Sequence, residues 1–185
     1  MEEFILKKNE KTNAVDNLTD ALVNVMKYND SKIEYPSFNK AKSDDGVLAE
    51  WFYSANNGQN DFSELTSIHM YTSQESTFED IGELMLGIAL TEMKHYSKLC
   101  DFIKKIGGRI DQKFNNSSVT IGKDSKEAVQ IAIKAEEKAI EFYGKIEVKL
   151  KKVEETNTVK IALQLISKIV ADENVHLDLL KEQKK

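Results

Sequence analysis

Three apolar helical seams in this 185-residue chain are each interrupted at mid-length by acid, and two of the interruptions share one form, Glu92-x-x-His95 and Glu173-x-x-His176. Residues three apart share a helix face, so each pair projects on the side that the flanking apolar residues reserve for a core. A single Glu-x-x-His match carries little weight, since roughly 0.3 are expected by chance, but two in seam positions carry far more. Burying an unpaired ion costs several kcal/mol even after relaxation. A chain that turns acid into its core must bring compensating charge to the same place, and this restricts the fold more than any apolar stretch does.

The seams themselves predict helices. One runs Phe78, Ile81, Leu84, Met85, Ile88, passes through Glu92 and His95, and resumes at Leu99, Phe102, Ile103 and Ile106 before Gly107-Gly108 ends it. The next runs Val129, Ala132, Ile133, Glu136, Ala139, Ile140, Tyr143, Ile146 and Leu150. After the polar VEETNT stretch the last runs Ile161, Ala162, Leu165, Ile166, Ile169, Glu173, His176, Leu177 and Leu180. A less regular helix precedes them, with Asp61 to Glu64 as a capping box and Leu65, Ile68 and Tyr71 as its apolar face. Val47, Leu48, Trp51 and Phe52 predict a short helix in the same column, broken from it at Gly58. The polar stretch between Gly107 and Asp124 exceeds a hairpin loop and is long enough to cross a bundle. The fold expected is all-α, a four-helix bundle over residues 47–185 with a long crossover between helices two and three. Residues 1–46 form an extension, with helical spacing at Val15, Leu18, Leu22, Val25 and Met26 and an extended run at Tyr35-Pro36, to which no chemistry is assigned.

In an antiparallel hairpin, residues at equal height are symmetric about the turn. The midpoint of Glu64 and Glu92 is Phe78, beside Thr77 and Asp80, which can start a helix with a cap; that of Glu136 and Glu173 falls in the VEETNT turn. Both hairpins therefore hold their carboxylates level. Two divalent cations would neutralise four carboxylates, and imidazole nitrogens with carboxylate oxygens suit iron or manganese, with zinc possible and calcium poorly served. Glu137 rivals Glu136 but lies off the seam.

These residues resemble the ferritin-like di-iron and di-manganese carboxylate proteins, whose bundles carry one Glu from each of two helices and Glu-x-x-His from each of the others. The resemblance spans about residues 35–185. Glu64 through Tyr71 and Gln74 to TEMKH at 91–95 looks most like the manganese-catalase-like branch, whereas AIKAEEKAIEFY at 132–143 looks like rubrerythrin-type domains. The resemblance implies two metal ions per chain, Fe or Mn, held by Glu64, Glu92, His95, Glu136, Glu173 and His176, with Glu92 and Glu173 as bridges. It also implies that Asp172, preceding Glu173, orients His95, while its counterpart Thr91 is a weaker acceptor, so the two halves of the site are expected to be electrostatically unequal.

Tyr71 and Tyr143 each follow a candidate ligand by seven residues, and the plainer reading is core filling with local hydrogen bonds. His69 reads as a surface or packing residue, Met70, Met85 and Met93 as core filler, and Cys100 as a small buried hydrophobe.

The net charge of −5 offers no basic excess for nucleic acid, and no apolar run approaches the ~18 residues that span a bilayer. A cytoplasmic protein is expected. One cysteine cannot build a four-thiolate iron centre, so any iron–sulfur electron donor must be a separate molecule. The resemblance implies an oxidoreductase acting on hydrogen peroxide or dioxygen, with homo-oligomers expected. Disproportionation on the manganese-catalase pattern is favoured, with Glu173 as a catalytic proton acceptor. A rubrerythrin-like peroxidase is the alternative, although the extra carboxylate expected three residues after Glu136 is Ala139; so is a ferroxidase that stores iron. Because only Glu136 continues the seam, Glu136→Ala is expected to lower metal content per chain, measured by elemental analysis, while Glu137→Ala leaves it unchanged.

Overall fold

The computed structural model describes residues 25–43, 47–110 and 113–183. Five α-helices carry the architecture: α1 (Val47–Asn56), α2 (Glu64–Thr77), α3 (Gly82–Lys105), α4 (Ser125–Leu150) and α5 (Asn157–Gln183). Single 3-10 turns lie at Val25–Tyr28, Glu79–Ile81 and Asn116–Ser118. Short connections make α2–α3 and α4–α5 antiparallel hairpins, the two most extensively packed pairs. The α1 helix continues the column of α2 and packs on α3 and α4, completing an all-α, ferritin-like bundle.

The column breaks where the sequence places Gly58. The Asn57 side chain bonds back to the Tyr53 carbonyl, and Gly58 pairs in a single β-bridge with Phe114 of the crossover. A Cβ on Gly58 would meet the Phe114 ring at 2.3 Å, so only glycine admits this approach. The crossover begins at Gly107, whose φ of 90° stops α3. It then passes Gly58, delivers the Ile121 carbonyl to the Gln74 amide and reaches α4 beside Asp80, having run the length of the bundle. Asp124 caps α4 by accepting from the Glu127 N–H.

Apolar burial falls into two clusters. One, toward the α4–α5 turn, gathers Phe52, Leu99, Phe102, Ile146, Leu165 and Ile169; the other, toward the opposite end, gathers Met70, Met85, Ile88, Ala132, Leu177 and Leu180. The Glu and His positions of the three seams lie between them as a buried polar layer.

Four local expectations are corrected. The capping box does not form: Ser63 is the N-cap but its hydroxyl accepts from no helix N–H, Glu64 turns inward, and Asp61 pairs with Lys138. The α2 core face is polar, built from Thr66, Ser67, Met70, Tyr71 and Gln74, with Leu65 and Ile68 only half-buried on its flanks. Thr77 closes α2 and bonds to Ser73, so no cap involving it starts α3. Met93 is 41% exposed and fills no core. Of the extension, Val15, Leu18 and Leu22 lie outside the described residues; Tyr35-Pro36 lies in a stretch with no helix or strand. Among the described residues no helix is long and apolar enough to cross a membrane.

Phe102 packs edge-on against Phe52 with ring centroids 5.0 Å apart and is fully buried. Truncating such a ring costs about 3–5 kcal/mol. Phe102→Ala is therefore expected to lower the melting temperature on the order of 10 °C in calorimetry, while Phe114→Ala, at a 40% exposed position, changes it little.

Candidate metal centre

The polar layer draws one Glu from each of α2 and α4 and a Glu-His pair from each of α3 and α5. Glu64, Glu92, His95, Glu136, Glu173 and His176 are each at most 2% exposed. Glu64 sits in the first turn of α2, where unpaired backbone N–H groups favour a carboxylate. The other five lie mid-helix on seams whose apolar neighbours fix the inward direction.

Their atoms converge on two points. Around the first, His95 Nδ1 lies 3.5 Å from Glu64 Oε2, 3.5 Å from Glu92 Oε2 and 3.3 Å from Glu173 Oε1. Around the second, His176 Nδ1 lies 3.2 Å from Glu92 Oε1, 3.5 Å from Glu136 Oε2 and 3.0 Å from Glu173 Oε2. Each group of four offers ligand atoms within 4.8 Å of one another. Metal–ligand bonds of about 2.1 Å at right angles separate neighbouring ligand atoms by about 3.0 Å, so these spacings suit a cation at each point. Glu92 and Glu173 each give one oxygen to either point, the disposition of bridging carboxylates. Glu64 Oε2, Glu92 Oε1 and His95 Nδ1 are buried and have no directed hydrogen bond among the described residues, as expected of atoms aimed at an ion.

The rubrerythrin family profile matches residues 60–184, a span that begins just before α2 and includes all six residues. The chain belongs to the rubrerythrin family. No curated protein matches it by sequence. Family membership and the paired clusters together support a di-metal carboxylate site, with the choice between iron and manganese open.

Around the rubrerythrin-family cluster, the tyrosines do more than fill space. Tyr71 donates its hydroxyl to Glu136 and Tyr143 donates to Glu64, so each crosses from its own hairpin to a carboxylate of the other. The expectation of local bonding is corrected: seven residues along a helix bring a side chain back to the same face about 10 Å away, next to the partner hairpin. Asp172 accepts from His95 Nε2 at 3.1 Å, as the sequence implied. Thr91 donates to the Gly87 carbonyl and accepts from Asn29, and His176 Nε2 has no hydrogen-bond partner among the described residues.

The residues before α1 also reach the site, against the expectation that they carry no chemistry. The Asp30 N–H and the Tyr35 hydroxyl both donate to Asp172, and Lys168 bonds Asp172 and the Asp30 carbonyl. Lys168 stands four residues before Asp172 on one face, a signal the sequence held; Tyr35 gave none. Glu137 is exposed near Lys181, His69 is exposed against Phe114, and buried Cys100 accepts from the Asn56 amide.

Electrostatics divides the four carboxylates. Burial, then the neighbouring carboxylate charges, raises Glu64 and Glu136 well above the ordinary glutamate value. Burial opposes ionisation of Glu173 and Glu92 too, but His95 and His176 outweigh it and hold both below that value, Glu173 far below. The histidines are raised well above their ordinary value by those carboxylates, despite burial. Without metal the centre is thus held together by protons.

The linkage follows in sign. A carboxyl with a raised native pKa keeps a proton that the unfolded chain loses near pH 4.5, so it destabilises the metal-free fold increasingly as pH rises. A histidine with a raised native pKa stabilises below about pH 6.5, and this contribution fades as pH climbs toward the native value. The lowered glutamates have completed their contribution by pH 6. Protein stripped by chelator is therefore expected to melt lower at pH 9 than at pH 6, and Fe(II) or Mn(II) to raise the melting temperature with release of protons into weakly buffered solution. Equal melting of stripped and loaded protein at both pH values would contradict this.

Proposed function

We propose that this chain is a two-metal oxidoreductase that reduces hydrogen peroxide with electrons from a separate donor, with Glu64, Glu92, His95, Glu136, Glu173 and His176 as its metal ligands. The observation that carries the reading is the pair of ligand sets sharing Glu92 and Glu173 inside a closed core. No ligand exceeds 2% exposure, so the oxidant must be as small as peroxide or dioxygen. Surface grooves of ≈ 780 and ≈ 700 Å³ are lined by residues such as Trp51 and Thr156, or Phe142 and Lys149, none of them from the site.

Two bound metals, each cycling between two oxidation states, would supply the two electrons that cleave the O–O bond. The chain's own residues handle the protons. Glu92 and Glu173 face both points with both oxygens and stay ionised, which suits bridging and argues against the free-base role expected of Glu173. Glu64 and Glu136 hold protons more readily, and each accepts a hydrogen bond from a tyrosine hydroxyl that fixes the orientation of its carboxyl group. Tyr71 and Tyr143, both pushed up by burial and the adjacent glutamates, remain protonated donors at neutral pH.

Disproportionation is a second reading, favoured by Ala139: it is buried one turn beyond Glu136, where rubrerythrin-type sites are expected to place a further carboxylate. The test is to load stripped protein with iron or manganese under nitrogen and add peroxide. Iron-loaded protein is expected to consume peroxide only with a reductant, and Tyr71→Phe or Tyr143→Phe to slow turnover about 10- to 100-fold. Oxygen evolution by manganese-loaded protein without reductant would replace this reading with disproportionation. Aerobic Fe(II) oxidation with hundreds of irons retained per assembly would replace it with storage.

A further inference from the structure

We infer that the two metal positions are inequivalent, the one at His95 being the tighter, and that Lys168, Tyr35 and the Asp30 backbone make it so by fixing Asp172 on His95. The inference rests on the two-metal reading above.

Both histidines present Nδ1 to the cluster, so a metal-bound imidazole carries its proton on Nε2 and needs an acceptor there. For His95 the acceptor is Asp172 Oδ2, at 3.1 Å. For His176, also fully buried, no acceptor exists among the described residues. The one hydroxyl placed by the helix repeat to serve it, Thr91, already donates to the Gly87 carbonyl at 3.3 Å and accepts from Asn29 at 3.4 Å.

Asp172 is held from three further directions. Lys168 Nζ and the Asp30 N–H each reach Oδ1 at 2.6 Å, and the Tyr35 hydroxyl reaches Oδ2 at 3.0 Å. Lys168 is itself only 3% exposed and spends a second N–H on the Asp30 carbonyl at 2.6 Å. A buried lysine is tolerated where its charge is matched, and the match here is a carboxylate that also accepts from His95, Tyr35 and the Asp30 N–H. Tyr35 also lies over His95 with ring centroids 6.4 Å apart. The segment before α1 thereby holds a carboxylate on His95 at one metal position, whereas toward the other its Asn29 amide reaches only the Thr91 hydroxyl. Partners of this kind raise ligand basicity and fix ring orientation, and their loss commonly costs 10- to 100-fold in metal affinity.

The test uses the full chain, stripped of metal and titrated with Co(II) by calorimetry and visible absorption. Two steps of one equivalent are expected. Asp172→Asn should weaken the first about 10- to 100-fold and leave the second in place, and Lys168→Met should weaken the same step by a smaller factor. At one equivalent of cobalt, proton NMR of the unaltered chain should show one hyperfine-shifted imidazole N–H that exchanges slowly with deuterium, and its exchange should quicken in Asp172→Asn. Equal weakening of both steps, or two imidazole N–H signals of equal intensity at one equivalent, overturns the inference. Failure to bind Co(II), Fe(II) or Mn(II) at all overturns the two-metal reading and this one with it.

Discussion

Four carboxylates in one apolar core are the condition to which the rest of the structure answers. Burial favours their neutral forms, mutual repulsion favours them further, and their exclusion from bulk solvent weakens the screening of either effect. Two imidazoles, two tyrosine hydroxyls and the proposed pair of cations are the opposing charge and hydrogen bonds. The two apolar clusters on either side, around Phe102 and around Met85, supply the packing that keeps these groups together when electrostatics alone would separate them. Bundle and site are one problem: helices whose seams end in the same layer bury their apolar lengths only by bringing the acid together.

Within the layer, symmetry is near but incomplete. The two hairpins exchange hydrogen bonds through Tyr71 and Tyr143, each a donor to the other hairpin's glutamate, and this reciprocity locks α2–α3 against α4–α5 at the level of the site. The symmetry fails outside the ligands. Where α5 offers Asp172 to His95, α3 offers a threonine whose hydroxyl is already engaged. One face of the centre is braced by Lys168 and by the chain from Asp30 to Tyr35, while the corresponding face at His176 lacks a comparable anchor among the described residues.

Most of the architecture was legible because helical periodicity and a short turn are local properties. Ile161 through Leu180 carry their period of 3.6 in the sequence whatever they pack against, and the midpoint of Glu136 and Glu173 falls on a turn that any antiparallel hairpin would need. The failures have a common cause. The stretch from Asp61 to Glu64 has the residues of a capping box, and Leu65 and Ile68 have the spacing of a core stripe, but local rules describe an isolated helix. Next to α3 and α4, the demand for a carboxylate in the polar layer drew Glu64 inward and turned Thr66, Ser67 and Gln74 toward the core instead.

The sequence by itself determined the helices, their breaks and the crossover, which depend on residue type and on separations along one chain, while its resemblance to a known family named the six candidate ligands. Only the tertiary structure decided which oxygen faces which histidine, that each tyrosine serves the opposite hairpin, and that Tyr35 and Asp30 close on Asp172 from more than 130 positions away. Contacts across such separations leave no periodic trace, because they are fixed by how helices pack and not by how any one of them repeats.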